Sequence, residues 1–210
     1  MSVTAIIPVR SLTDGKTRLA PVLETIERYT LNARFLSHIL GVTSALSIRT
    51  MVVSRCEEAR KIAQDFGVKS LFENTSDGLN SALYRASMVA RARGAARILV
   101  LPADLPLVRG DDLNSLILRA GRAGSAIAPD RLRKGTNALC LPAGNSFRFR
   151  FGMGSFFLHQ KEARKIGLDM VVIRSASLAF DVDSPSDFCQ LQSIERDSPG
   201  RKLTKGLGRK

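Results

Sequence analysis

Two hydrophobic periods alternate along the chain from Thr4 to Gly121. Thr4–Val9 is a nearly unbroken apolar run, the pattern of a strand covered on both faces. A polar, charged loop follows from Arg10 to about Ile26. Leu31, Phe35, Ile39, Val42 and Leu46 then recur at helical spacing and form one stripe. Thr50–Ser54 reads as a second strand, and Ala59, Ile62, Ala63 and Phe66 as a helix stopped by Gly67. Val68–Phe72 is a third strand, Asp77–Arg93 a helix ending at Gly94, and Ile98–Leu101 a fourth strand. Leu113, Leu116, Ile117 and Ala120 stripe a further helix that stops near Gly121. Strands alternating with helices predict a parallel sheet with right-handed crossovers.

The second half is less regular. Ala126–Pro129 and Ala138–Leu141 read as short strands, Met170–Ile173 as a late strand and Pro185–Ile194 as a closing helix. Phe147-Arg148-Phe149-Arg150-Phe151 alternates strictly, so a strand there would put its phenylalanines on one face and its arginines on the other. No internal repeat and no break in composition before Arg196 divides the chain. The expectation is one α/β domain over 1–195.

Charge changes this picture at the C-terminus. The chain carries a formal net charge of +13, of which six basic residues against one acid place +5 between Arg196 and Lys210. That stretch is glycine-containing and poor in apolar residues, and it reads as a disordered, solubilising tail over 196–210. Basic charge also admits a nucleic-acid-binding module, which the Phe-Arg alternation would serve. Against it, the core lacks aromatic residues interleaved with basic ones on the scale of a base-stacking platform. No apolar run approaches the ~20 residues of a membrane-spanning helix, and the start MSVTAIIPVR has no signal-peptide pattern. Cys56, Cys140 and Cys189 make neither a zinc pattern nor a disulfide framework. The expected compartment is the reducing cytoplasm.

In an open parallel sheet, ligands bind beyond the carboxyl ends of the strands. After the first strand comes Pro8-Val9-Arg10-Ser11-Leu12-Thr13-Asp14-Gly15-Lys16-Thr17-Arg18-Leu19, a basic loop placed where a triphosphate would lie. It lacks P-loop spacing, and no strand is followed by G-x-G-x-x-G. After the fourth strand comes Asp104, between two prolines in "LPADLPL". A second acidic pair, Asp181 and Asp183 in "FDVDSP", precedes a helix that Asp183 or Ser184 could cap, with Pro185 at its first position. Carboxylates on a bent loop can also converge on Mg²⁺, which takes one or two of them along with substrate phosphates. His38 and His159 both fall in helical contexts, where packing or capping is the plain reading, and G-x-S-x-G is absent. Nucleophilic catalysis by a serine or histidine triad is therefore not indicated.

Several stretches in order, "IIPVR…GKTRLAP", "DGLNSAL", "LPADLPL", "APDRLRKGTNAL", "FRFGMGSFFLH" and "FDVDSPSDF", resemble the 2-phospho-L-lactate guanylyltransferase family. That family includes bacterial enzymes using phosphoenolpyruvate or 3-phospho-D-glycerate in coenzyme F-420 biosynthesis. "PADLPL" alone also resembles molybdenum-cofactor guanylyltransferases, so another acceptor on the same superfold is the nearest rival. The resemblance implies a nucleotidyltransferase-like three-layer sandwich of GT-A or Rossmann type with a mostly parallel sheet. It implies GTP at Pro8, Val9, Arg10, Lys16, Gly78, Leu79, Asn80 and Pro102, with Lys16, Arg18 and Asp104 as catalytic residues. Asp104, Asp181 and Asp183 match metal-binding carboxylates, so that Asp104 would face Mg²⁺ rather than a Lys or Arg. Thr136, Gly152 and Ser155 match positions that hold the phosphorylated three-carbon acid. Gly152–Ser155, at an expected helix start, would offer backbone N–H groups to an anion. Arg10 stands where Lys is common in the family, and Lys134 where many members have a second glycine before "GTN", which bears on the choice of acid. The implied partners are GTP and the acid, with a downstream transferase taking the product and a homo-oligomer as a further expectation.

Overall fold

The computed structural model describes residues 2–73, 78–198, 200 and 202–208. Among these, β1 (Val3–Pro8), β2 (Arg49–Ser54), β3 (Lys69–Phe72), β4 (Arg97–Val100), β5 (Ser125–Pro129), β6 (Thr136–Pro142) and β7 (Met170–Val172) form one sheet. Its order is β3-β2-β1-β4-β6-β5-β7. The helices are α1 (Thr25–Ala45), α2 (Glu57–Asp65), α3 (Gly78–Ala92), α4 (Gly110–Ala123), α5 (Ser155–Lys165), the short α6 (Ala176–Ala179) and α7 (Pro185–Asp197).

Alternate side chains of the apolar strands leave by opposite faces, which produces three layers. Ile7, Val52 and Leu99 face α1, α2 and α4 through Leu36, Ala63 and Leu116. Ile6, Met51, Val53, Ile98 and Val100 face α3 and α5 through Leu83, Ala86 and Phe156. The expected α/β sandwich is therefore present. Its sheet is mixed, because β6 runs antiparallel to both β4 and β5 while the other neighbours pair in parallel.

This topology places the site. From β1 the chain winds out to β2 and β3, then returns to the other side of β1 as β4. A crevice opens where the strand order reverses, beyond the carboxyl ends of β1 and β4. Because β6 is antiparallel to β4, with Val100 opposite Leu139, β6 begins at the edge where β4 ends. Thr136 and Asn137 are thereby brought to the same edge as Asp104.

Three expectations need correction. Phe147–Phe151 pairs with no strand, although its alternation is retained, with Phe147 and Phe149 buried and Arg148 and Arg150 exposed. Side chains of Asn145, His159 and Asn80 accept from the N–H groups of Phe147, Arg150 and Phe151 in place of a neighbouring strand. The buried rings also leave it without a face on which bases could stack. Second, α4 continues through Gly121 to Ala123 and ends at Gly124, whose φ of +97° suits glycine. Third, the basic tail is not disordered over its described part.

In that part, Leu203 and Leu207 are buried in a third apolar cluster with Leu19, Leu23, Phe35, Val182 and Phe188. The buried Glu195 carboxylate accepts from Leu203 N (2.7 Å) and Thr204 N (3.0 Å). Arg34 donates to the carbonyls of Leu203 and Lys205, both at 2.8 Å. Spacing the two leucines by four put one apolar stripe into a segment whose composition reads as solvated. The helix expected from Asp77 has its described start at Gly78, and Asp77 itself lies outside the described residues.

Removal of residues 202–210 should lower stability by about 2 kcal/mol or more. Burying a leucine contributes roughly 1.5–3 kcal/mol, and the entropy of ordering the segment offsets part of that. A thermal melt should fall by about 4 °C or more. An unchanged midpoint would show that the segment does not hold the fold.

Candidate active site

The loop after β1 turns sharply at Lys16, whose φ of 56° and ψ of 42° lie in the left-handed region that L side chains rarely adopt. The turn is held from below. Leu19 N donates to Lys16 O at 2.9 Å, and Leu19 is fully buried in the third cluster. The Lys16 ammonium therefore points into the crevice, where it donates to Asp104 Oδ2 at 2.9 Å and Asp183 Oδ1 at 3.0 Å. Its side chain is only 7% exposed, against 31% for Asp104 and 50% for Asp183. Burial pulls the Lys16 pKa down, but the charges and hydrogen bonds of the two aspartates outweigh burial and hold it above its ordinary value. It stays an ammonium at neutral pH.

Three separate segments thus meet at one point. Asp104 lies in the segment that follows β4. Asp183 arrives just ahead of α7, where Ser184 caps the helix and Asp187 Oδ2 accepts from Asp183 N (3.0 Å) and Ser184 N (2.8 Å). Capping uses Ser184 and Asp187, which leaves the Asp183 carboxylate free to face Lys16. Arg131 pairs with Asp187 and lies 4.6 Å over the Phe180 ring, pinning the same segment. Leu19, Phe180 and Val182 share the third cluster, so one apolar block supports the turn at Lys16 and the segment carrying Asp181 and Asp183.

Asp181 lies beside this pair and accepts from Asn137 Nδ2 at 3.3 Å. Burial, and then the charge of Asp104, push its carboxyl above the usual range, with the Asn137 bond opposing. The donor set suits a hard divalent cation. Asp104 and Asp183 converge within 3.0 Å of one cationic atom, and Asp181 adds like charge that a cation would relieve. Among the described residues no three carboxylates close into a single cage. The site has two converging carboxylates with a third alongside, and Lys16 supplies the protein partner that the sequence reading withheld from Asp104.

Pro8, Val9, Arg10, Lys16, Pro102 and Asp104 line one cavity of about 240 Å³. That is smaller than the roughly 300–1,000 Å³ of typical ligand sites. Arg18 is exposed on the turn after Lys16. Gly78 and Leu79 open α3 and are exposed. Asn80 is otherwise engaged, since its amide accepts from Phe151 N at 2.7 Å and donates to Phe151 O at 3.1 Å. Its side chain clamps the extended 147–151 segment.

Thr136, Gly152 and Ser155 gather around the start of α5. Ser155 N donates to Gly152 O, and Phe156 N to Lys134 O, both at 3.1 Å. Two of the helix's first N–H groups are therefore already bonded, which narrows the backbone anion site expected there. The Lys134 side chain is exposed. Asp130 holds the loop before β6 by accepting from Lys134 N and Gly135 N, both at 2.8 Å. A Cβ at Gly135 would lie 2.8 Å from Asp130 Oδ2, so this close approach needs glycine. Asn137 and Asp130 are not singled out by the sequence, and His159 reads there as packing or capping. Asn137 pairs with Asp181, 44 positions on, and His159 with Thr136, 23 positions back, whereas the contacts of Asp130 are local.

The fold is shared with solved structures of low sequence identity. A crystal structure from Desulfovibrio desulfuricans G20, provisionally assigned as a nucleotide-diphospho-sugar transferase, superposes with a TM-score of 0.75 over 98% of this chain and 91% of that one, at 15% identity. More specifically, residues 3–208 match the family described as "Guanylyl transferase CofC like", and the chain belongs to that family. It is 36% identical over 195 residues to the phosphoenolpyruvate guanylyltransferase of Rubrobacter xylanophilus, covering 92% of this chain and 95% of that protein. It is 37% identical over 191 residues to the 2-phospho-L-lactate guanylyltransferase of Methanothermobacter thermautotrophicus, covering 91% and 84%.

Proposed function

We propose that the chain transfers GMP from GTP to the phosphate of a three-carbon phospho-acid: phosphoenolpyruvate, 2-phospho-L-lactate or 3-phospho-D-glycerate. The observation that carries this reading, within a family of guanylyl transferases, is the meeting of Lys16, Asp104 and Asp183 at the crevice beyond β1 and β4. A phosphate oxygen of the acid attacks the α-phosphorus of GTP. The bond from that phosphorus to the α–β bridging oxygen breaks, and pyrophosphate leaves with the electron pair. The nucleophile is already anionic at neutral pH, so the site needs no general base. Its main tasks are to hold two polyanions together and to align them.

Lys16, Arg10 and Arg18 neutralise the triphosphate, while Thr136, Gly152 and Ser155 receive the acid. Asp104 and Asp183, with Asp181 alongside, would hold Mg²⁺. When bound, the ion offsets charge on the phosphates as it develops. The product, a GMP-linked acid, would pass to a downstream transferase of coenzyme F-420 biosynthesis. The three cysteines are free, and no helix among the described residues is long and apolar enough to cross a membrane. We place the reaction in the cytoplasm.

The test incubates the chain with GTP, Mg²⁺ and each acid in turn, follows pyrophosphate and identifies the product by mass. Release with one or more of the acids is expected. Release with none of the three would overturn the reading, and a wider acceptor panel would then separate a molybdopterin or sugar-phosphate acceptor.

A further inference from the structure

His159 is fully buried in the middle of α5, away from the aspartates. Both of its ring nitrogens are engaged. Nε2 lies 2.9 Å from the backbone N of Arg150, and Nδ1 lies 3.0 Å from Thr136 Oγ1. A backbone N–H can only donate, so Nε2 must be the bare, accepting nitrogen. In a neutral ring the proton then sits on Nδ1 and points at the threonine oxygen. Burial pushes the His159 pKa down to about 4, which keeps the ring neutral through the physiological range. The Phe147 and Phe151 rings, with centroids at 5.6 and 4.7 Å, fix its plane.

The consequence falls on Thr136. Its hydroxyl has one proton and can both accept and donate. With its oxygen accepting from Nδ1–H, its own proton is released to donate elsewhere. Were the other tautomer present, the hydroxyl would have to donate to Nδ1 and could only accept at the crevice, the wrong polarity for an anion.

We infer that His159 is a positioning residue that holds the Thr136 hydroxyl as an outward hydrogen-bond donor to the anionic groups of the phospho-acid. This rests on the reading of Thr136 as a residue that contacts the acid. The same ring ties the acid side to Arg150 in the 147–151 segment, whose next residue, Phe151, Asn80 clamps to the first turn of α3. His159 itself touches no substrate and acts through Thr136.

Two variants divide its two bonds. His159→Asn keeps an N–H at the position of Nδ1 and loses the acceptor for Arg150. His159→Gln can keep an acceptor near Nε2 and loses the donor to Thr136. His159→Gln should raise the KM for the acid about tenfold, the loss of roughly one hydrogen bond to a charged group, with the KM for GTP within about twofold. His159→Asn should raise the acid KM by no more than about threefold. In a Thr136→Ala background, which itself raises the acid KM about tenfold or more, His159→Gln should add almost nothing.

Equal shifts in the KM for GTP and acid, or a His159→Gln effect that persists without the Thr136 hydroxyl, would overturn the positioning role. If Thr136→Ala leaves the acid KM unchanged, the Thr136 reading fails and the inference falls with it. The tautomer can be read without any variant. Nitrogen-15 imidazole spectra of the full chain, which has two histidines, should show one ring with protonated Nδ1 and bare Nε2 at neutral pH. Loss of that signal in His159→Gln would assign it. A protonated Nε2 on His159 would overturn the inference whatever the variants do.

Discussion

Asp104→Asn should lower kcat about a hundredfold or more while leaving the fold intact. The substitution is nearly isosteric and keeps an oxygen that can still accept from Lys16 Nζ, now 2.9 Å away. What it removes is one negative charge from the point where Asp104 and Asp183 converge. A preorganised electrostatic group facing charge that develops in the transition state contributes on the order of 10²–10³ in rate. Stability should change little, because the asparagine oxygen can still accept from Lys16 and the Asp183 carboxylate stays beside the ammonium. Steady-state turnover and a thermal melt on the same preparation check both halves. Near-normal kcat with an unchanged melt would remove Asp104 from the reacting centre. A fallen melt with proportionate loss of active protein would make it a structural residue instead.

Asp104 also shows how far the sequence could be read. The apolar run before it and the prolines around it were enough to place a carboxylate at a strand end. Its partner was not legible, because Lys16 lies 88 positions earlier and faces the crevice only through a left-handed backbone turn. No local pattern announces φ of 56° at a lysine. Burial alternation at Phe147–Phe151 was legible for the same reason that strand faces are, since any extended chain alternates its side chains. Pairing was not, because the N–H groups of Phe147, Arg150 and Phe151 are taken by Asn145, His159 and Asn80 rather than by a neighbouring strand.

The C-terminal segment failed for the opposite reason. Composition averaged over many basic and glycine residues hid two leucines that close the third cluster. That cluster also carries Leu19 and Val182, so the segment taken for solvent decoration packs against the block that supports the site. The order of short motifs was legible throughout, and it is their order rather than any one of them that led to the guanylyl transferase family. The direction of β6 was not legible. A short apolar run reads alike in either sense, and only the pairing of Val100 with Leu139 brings Thr136 to the crevice.

Lys16→Met should have the largest effect on the reaction, lowering kcat/KM for GTP by about a hundredfold to a thousandfold. Methionine matches the length and apolar stem of lysine, and the rest of the turn can stay seated on Leu19. Its loss leaves Asp104 and Asp183 facing each other without the ammonium, and the triphosphate without a nearly buried cation. Losing one member of a buried charge pair costs about 3–5 kcal/mol, and the exposure of the two aspartates reduces that figure here. Lys16→Arg should recover only part of the activity, because a planar fork cannot place one compact charge between two carboxylates.

Divalent-cation binding moves the other way. If a cation binds at the two carboxylates as proposed, Lys16 would compete with it in the absence of nucleotide, so Lys16→Met should bind Mn²⁺ more tightly than the parent chain does, and Asp104→Asn more weakly. Working out the sign with pH supports the choice of conditions. The two aspartates hold the Lys16 pKa above its ordinary value, so its pairing is fully present at neutral pH and is lost only as pH rises through the folded-state pKa. Competition is therefore constant across neutral pH, and titration calorimetry at pH 7 reads it directly. Tighter Mn²⁺ binding with a collapsed kcat/KM would establish that the lysine and the cation share one position. Unchanged Mn²⁺ affinity in Lys16→Met would separate them, and would confine Lys16 to holding phosphate.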